Sequence, residues 1–160
     1  MGLNAGRVLG LGLVSTLSMD LLTGLSIWLR VIAPLPPVLV GRWFASVARA
    51  RVFHADIARV PPISHEAFVV LPIHYAIGTV LAGLYVWTAS QLGWPPRSFG
   101  AALLFGLCTN VLPWLFMFPA MGYGLFGVHG PAGTRLLLSS LITHAFFGIG
   151  LWLAVRTLGA

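Results

Sequence analysis

Four long apolar runs dominate the hydrophobicity pattern, separated by short segments rich in proline, glycine and arginine. They fall at about residues 5–30, 66–87, 98–118 and 134–155. Each is close to the roughly 20 residues a helix needs to cross ~30 Å of hydrocarbon. In the first run Gly10, Gly12, Ser15 and Ser18 are small, which suits close helix contact in lipid. Trp28 and Arg30 mark its interfacial end, and Pro34, Pro36 and Pro37 stop the helix. Pro72 and Pro113 lie inside the second and third runs, and residues 121–133 are glycine-rich and irregular.

Only the segment from Val38 to Val60 leans polar. Val40, Trp43, Phe44, Val47 and Ala50 share one face of a helix, and Arg42, Ser46 and Arg49 share another. This predicts an amphipathic helix in the 34–65 loop, lying in the membrane surface or packed as a cap over the bundle. The fold class is therefore all-α: an integral membrane four-helix bundle, one membrane domain over 1–160, with one amphipathic surface helix.

Composition supports this. The chain is 58% hydrophobic and 8% charged, against roughly 25% charged in a soluble domain. Its formal charge of +6 comes from nine arginines and no lysine. The arginines sit at segment ends and in one loop, as headgroup contacts and topology determinants. No basic stripe with interleaved aromatics is present, which argues against nucleic acid as a partner. Four spans put both termini on one side. Arg30, Arg42, Arg49, Arg51, Arg59 and Arg135 lie on the loop side, and Arg7, Arg97 and Arg156 on the terminal side. Six against three predicts a cytoplasmic loop side and periplasmic termini. Cys108 is the only cysteine, so no intrachain disulfide or thiolate zinc cluster can form. No small-residue cleavage site precedes Asp20, which reads as an uncleaved first helix.

Against this apolar background the polar residues stand out. Leu71-Pro72-Ile73-His74-Tyr75-Ala76-Ile77-Gly78 and Leu141-Ile142-Thr143-His144-Ala145-Phe146-Phe147-Gly148 both read Leu-x-x-His-x-x-x-Gly. Leu17-Ser18-Met19-Asp20 and Leu107-Cys108-Thr109-Asn110 form a weaker echo in spans one and three. Together they suggest a tandem helical-hairpin repeat, of the parallel kind found among transporters. At ~1.5 Å per residue, Asp20, His74, Asn110 and His144 all lie roughly 12–15 Å from the loop-side ends of their spans. That depth predicts a polar midplane layer in which the two histidines approach each other, Asp20 lines the same cavity and Asn110 lies at its edge. Intramembrane ionisable groups avoid lipid and mark functional sites by default.

Three kinds of chemistry fit such a layer. Hydrogen bonds across the bundle would fix helix register. A carboxylate with two imidazoles suits a proton or ion path, with Arg42, His54, Asp56, Glu66 and Arg135 as loop-side candidates, although the terminal side offers no exit group. His74, His144 and Asp20 are also the donor set of a facial iron site, and the two histidines could hold haem axially. No nucleophile elbow, phosphate loop or His-Glu-x-x-His motif is present. The expected role is a non-enzymatic accessory subunit of a larger membrane complex, or a small carrier. A metal- or haem-binding redox protein is the alternative.

An ordered set of residues adds a resemblance. Asp20, Gly41-Arg42-Trp43, Phe53-His54, Glu66 and His74-Tyr75-Ala76-Ile77-Gly78 occur in that order. Phe116-Met117-Phe118-Pro119-Ala120-Met121-Gly122 follows, then Arg135, Ser139, and His144 with Phe147-Gly148-Ile149-Gly150-Leu151. Over nearly its whole length the chain resembles the bacterial membrane-protein family catalogued as Domain of Unknown Function 2938. It departs from that pattern at Phe118, where the family has glutamine, and at Val128-His129-Gly130-Pro131, where the family has a Ser-Lys-Thr-Pro-like stretch. The resemblance implies a four-helix protein of the bacterial inner membrane and implies no activity.

Overall fold

A computed structural model describes residues 4–158. Every regular element among them is helical. The long helices are α1 (Ala5–Trp28), α3 (Glu66–Leu92) and α6 (Thr134–Leu158), with α2 (Pro37–Val47) between the first two. The third span is composite: α4 (Phe99–Cys108), a π-helical turn (Pro113–Met117) and the short α5 (Phe118–Ala120). Four segments are long and apolar enough to cross a membrane, at Ala5–Trp28, Glu66–Leu92, Phe99–Ala120 and Thr134–Leu158. They begin within a residue of the expected positions and end within a few.

Asn4 caps α1, its side chain accepting from the Arg7 N–H at 2.8 Å. Ser98 does the same for α4 through Ala101. Leu9, Leu13, Leu17, Leu21 and Leu25 form an exposed stripe along α1 at four-residue spacing. An apolar exterior suits lipid as the solvent. Buried Leu11, Gly12, Ser15 and Thr16 face inward on α1, so its small residues are spent on helix contact as expected. α1 and α6 pack on each other at the centre, α3 flanks α1, and α4 flanks α6. A Cβ on Gly150 of α6 would come within 2.6 Å of the Ser15 carbonyl on α1. The core around Leu11, Ala82, Tyr85, Phe147 and Leu151 occupies the terminal half.

A second core lies at the loop end, where Trp43, Ile57, Phe118, Met121, Tyr123 and Leu136 pack together. It favours the cap reading of the helix in the 34–65 loop. α2 spans 37–47, and both its apolar and its arginine faces are covered: Gly41, Arg42, Trp43 and Ser46 are all buried. The apolar stripe meets protein, so α2 is a cap over the bundle. The Arg42 side chain is turned into the cap. Trp43 Nε1 donates to the Val52 carbonyl at 2.9 Å, which folds the following chain back onto the cap. The His54 and Ile57 N–H groups then donate to the Ala120 and Met121 carbonyls at 2.8 and 2.9 Å, tying the 34–65 loop to the end of the third span. Phe118 fills this second core at 2% exposure, as an apolar packing site.

The two Leu-x-x-His-x-x-x-Gly copies make equivalent contacts. A Cβ on Gly78 would collide with the Thr16 side chain of α1. One on Gly148 would sit 2.9 Å from the Leu103 Cα of α4. In each hairpin the glycine lets the preceding span come close, and the histidine one turn earlier on the same face meets a polar group of that span.

Candidate functional site

Hydrogen bonds in the polar layer run between neighbouring spans. His74 Nε2 of α3 lies 3.0 Å from Asp20 Oδ1 of α1. A carboxylate only accepts, so Nε2 carries the proton and donates. The side chains remain 33% and 38% exposed, so this pair is not sealed in the core.

His144 hydrogen-bonds to a residue the sequence pattern does not single out, Thr109. Its Nδ1 lies 2.6 Å from Thr109 Oγ1. The same hydroxyl lies 2.6 Å from the Gly106 carbonyl. A carbonyl cannot donate, so the single hydroxyl proton goes to Gly106, and Nδ1–H of His144 donates to Oγ1. This places a proton on Nδ1 of the ring. Asn110, at 1% exposure, accepts from Ser140 Oγ at 2.7 Å and donates to the Leu107 carbonyl at 3.0 Å. Asp20 and His74 hydrogen-bond between the first two spans, and His144 and Asn110 hydrogen-bond within the second hairpin.

Pro113 explains why Thr109 and Asn110 are available. Proline has no N–H, and its ring crowds the carbonyl four residues earlier, which is Thr109. The helix opens at Thr109 and Asn110 and resumes through the π turn. Such bulges recur at functional sites.

Two further residues join the first pair. Thr16 and Thr23 lie four residues before and three after Asp20, on the same face of α1. Their buried hydroxyls have no hydrogen-bond partner among the described residues. Ser15, Ser18 and Thr79 nearby instead return their hydroxyls to the carbonyl one turn back. Buried hydroxyls ordinarily find a partner; Thr16 instead packs its side chain against Gly78 of α3. A threonine among many reads as packing, and nothing in sequence spacing separated these from Ser15 or Ser18.

The loop-side candidates divide. Arg42 and Glu66 form a buried two-point pair, Nε to Oε2 at 2.9 Å and Nη2 to Oε1 at 2.6 Å. Arg42 Nη1 also donates to the Ala58 and Val60 carbonyls, at 3.3 and 2.9 Å. The hydrogen bond to Glu66 raises the Arg42 guanidinium above its ordinary value, against the opposing effect of burial. Glu66 Oε2 also accepts from the Ile63 N–H at 3.2 Å, steadying the entry to α3. A Cβ on Gly41 would collide with the Glu66 carbonyl, so Gly41-Arg42 forms one joint with Glu66. Asp56 pairs with exposed Arg59 at 3.3 Å and caps Ala58. His54 Nε2 lies 3.2 Å from the Arg51 carbonyl. Arg135 is exposed at the start of α6, and its carbonyl accepts Ser139 Oγ at 2.7 Å.

Among the described residues, no three His, Cys, Asp or Glu side chains gather into a group that could hold a metal. The set of Asp20, His74 and His144 is therefore not assembled as a ligand cluster. No curated protein and no solved structure matches the chain. The family described as Protein of unknown function (DUF2938) matches residues 9–157. With apolar spans of the right length, an ordered polar layer and a match over nearly its whole length, the chain belongs to the DUF2938 family.

Proposed function

We propose that the protein is a small membrane carrier whose Asp20–His74 pair takes up and releases a proton. One observation carries this reading: an acid and an imidazole hydrogen-bond at 3.0 Å deep in a span, flanked on the same face of α1 by two unpartnered buried hydroxyls. A polar pair serving only to fix helix register has no use for open hydrogen-bonding capacity beside it. Thr16 and Thr23 extend the polar stripe about one turn in each direction along α1, and polar stripes within spans are the setting of proton relays. An imidazole suits the role because either ring nitrogen can give or take a proton. The test is proton flux into liposomes carrying the purified protein, driven by a pH step and read with an entrapped dye. Flux should exceed that of empty liposomes and fall at least tenfold in Asp20→Asn and His74→Gln. Flux equal to that of empty liposomes, or undiminished in both variants, rejects the proposal.

The exposure of the pair favours a second reading, a subunit whose partner covers Asp20 and His74 within a larger complex. A protein that copurifies with the native chain and is lost in Asp20→Asn distinguishes it. The bacterial inner membrane as the location, with a cytoplasmic loop side, belongs to the same proposal and rests on the resemblance and the arginine distribution.

A further inference from the structure

At the loop end, away from the polar layer, the chain leaving α2 curls into a half-open cleft of about 670 Å³. Arg49, Arg51, Arg59 and His54 line it, together with Val52 and Phe53. Arg49 and Arg51 make no ion pair among the described residues, and Asp56 offsets only Arg59. Three guanidinium groups less one carboxylate leave two positive charges uncompensated around a concave surface. Guanidinium groups bind phosphate oxygens through paired N–H donors, which makes such a cluster a phosphate receptor.

The walls point to what carries the phosphate. Phe53 is 73% exposed, and its ring meets Phe116 edge-on, with centroids 6.5 Å apart. Phe116 belongs to the π turn of the third span and is itself exposed. An apolar surface therefore runs from the cleft onto a membrane-spanning segment. We infer that this cleft binds an anionic phosphodiester, the headgroup of a phospholipid whose acyl chains follow Phe53 and Phe116 into the bilayer. The shared chemistry is a phosphate held by Arg49 and Arg51, and the continuous apolar wall selects the lipid over the free ion. The site is independent of the proton-carrier proposal, since no residue is common to both.

Native mass spectrometry of the full chain in neutral detergent tests it, with phosphatidylglycerol, phosphatidylcholine and inorganic phosphate as probes. Phosphatidylglycerol should be retained at least tenfold more tightly than phosphatidylcholine. Arg49→Gln with Arg51→Gln should remove that preference, and Arg97→Gln in the opposite turn should leave it intact. An unchanged unfolding midpoint without lipid checks that the double variant folds. A double variant that does not fold is replaced by Arg49→Lys with Arg51→Lys, which keeps the charge, loses the paired donors and should weaken retention. Binding of inorganic phosphate with no preference between the lipids would assign a soluble anion and overturn the lipid source. Retention of phosphatidylglycerol equal in wild type and the folded double variant overturns the site.

Discussion

Arg42 and Glu66 lie 24 residues apart and meet at two points, Nε to Oε2 at 2.9 Å and Nη2 to Oε1 at 2.6 Å, with each side chain only 10% exposed. This joint holds the α2 cap on the start of the second span. Removing one partner of a buried pair strands a charge and costs roughly 3–5 kcal/mol. Arg42→Met and Glu66→Leu should each lower the unfolding free energy in detergent by about that much. The double variant should lose less than the two singles combined, because neither charge is then left alone. It should not recover fully, since the Ala58 and Val60 carbonyls and the Ile63 N–H lose their partners. Strict additivity would mean that the pair does not act as a unit. The pKa of Arg42 is raised on folding, so its contribution is present below the ordinary arginine value and lost only as pH rises through the still higher folded one. Between pH ~5 and ~9 arginine stays charged, and titration of Arg42 should leave stability flat across that range.

The matched glycines give a prediction with opposite recoveries. A methyl on Gly148 would face main-chain atoms, the Ala102 carbonyl at 2.8 Å and Leu103 Cα at 2.9 Å. On Gly78 it would face the Thr16 side chain. Gly148→Ala and Gly78→Ala should each destabilise by about 1–3 kcal/mol, the usual range for overpacking. Thr16→Ala should recover part of the Gly78→Ala loss, because it removes the hydroxyl in the way. Shortening Leu103 to alanine should recover nothing in Gly148→Ala, because its Cα stays in place. Thermal unfolding in one detergent decides both, and rescue through Leu103→Ala would contradict the backbone contact.

The parts of the fold visible in the sequence are those set by local composition. Span lengths follow from apolar runs, but the first helix ends at Trp28, where Arg30 turns left-handed (φ 59°), before the prolines at 34–37 are reached. Asp20 and His74 were legible because depth can be counted along a helix and a charge must turn away from lipid. Contacts set by distant residues were not legible. The Arg42–Ser46 face reads as a headgroup stripe until a carboxylate is found 24 residues later. For His144, spacing gives height along the span but not the hydrogen-bond partner across it. Its partner Thr109 was passed over for the more polar Asn110 next to it. Pro113, four residues beyond Thr109, was the available clue, since it marks the carbonyl that must lose its helical bond.

Membrane orientation tests the arginine distribution separately from the fold. With Arg42 internal, exposed Arg30, Arg49, Arg51, Arg59 and Arg135 remain on the loop side, against Arg7, Arg97 and Arg156. Topology follows the charge excess in short loops, so the loop side should be cytoplasmic. In a Cys108→Ala background, Gln91→Cys at the far end of α3 should react with an impermeant maleimide in intact bacterial cells expressing the chain. Ser64→Cys just before α3 should react only after the cells are opened. The reverse labelling pattern inverts the orientation.

The last prediction joins a proline to the protonation of a histidine. Thr109 Oγ1 gives its proton to the Gly106 carbonyl and receives one from His144 Nδ1, both at 2.6 Å. This fixes the ring in the Nδ1–H tautomer, whereas free imidazole in water distributes its proton over both nitrogens. Side-chain nitrogen chemical shifts of His144 should report a single Nδ1–H form at neutral pH in the intact protein. Thr109→Val keeps the shape and removes the acceptor, so the Nε2–H form should appear alongside. Pro113→Ala acts one step earlier. With an N–H restored at 113, the Thr109 carbonyl can re-enter a continuous helix, the opening at Thr109 and Asn110 closes, and the hydroxyl turns from His144. The same mixture of tautomers should then follow although residue 113 does not hydrogen-bond to the ring. Thr109→Ser should retain the single form, which separates loss of the hydroxyl from loss of a methyl. An unchanged single Nδ1–H signal in Thr109→Val would mean that another group holds the ring, and the assigned role of Thr109 would fail.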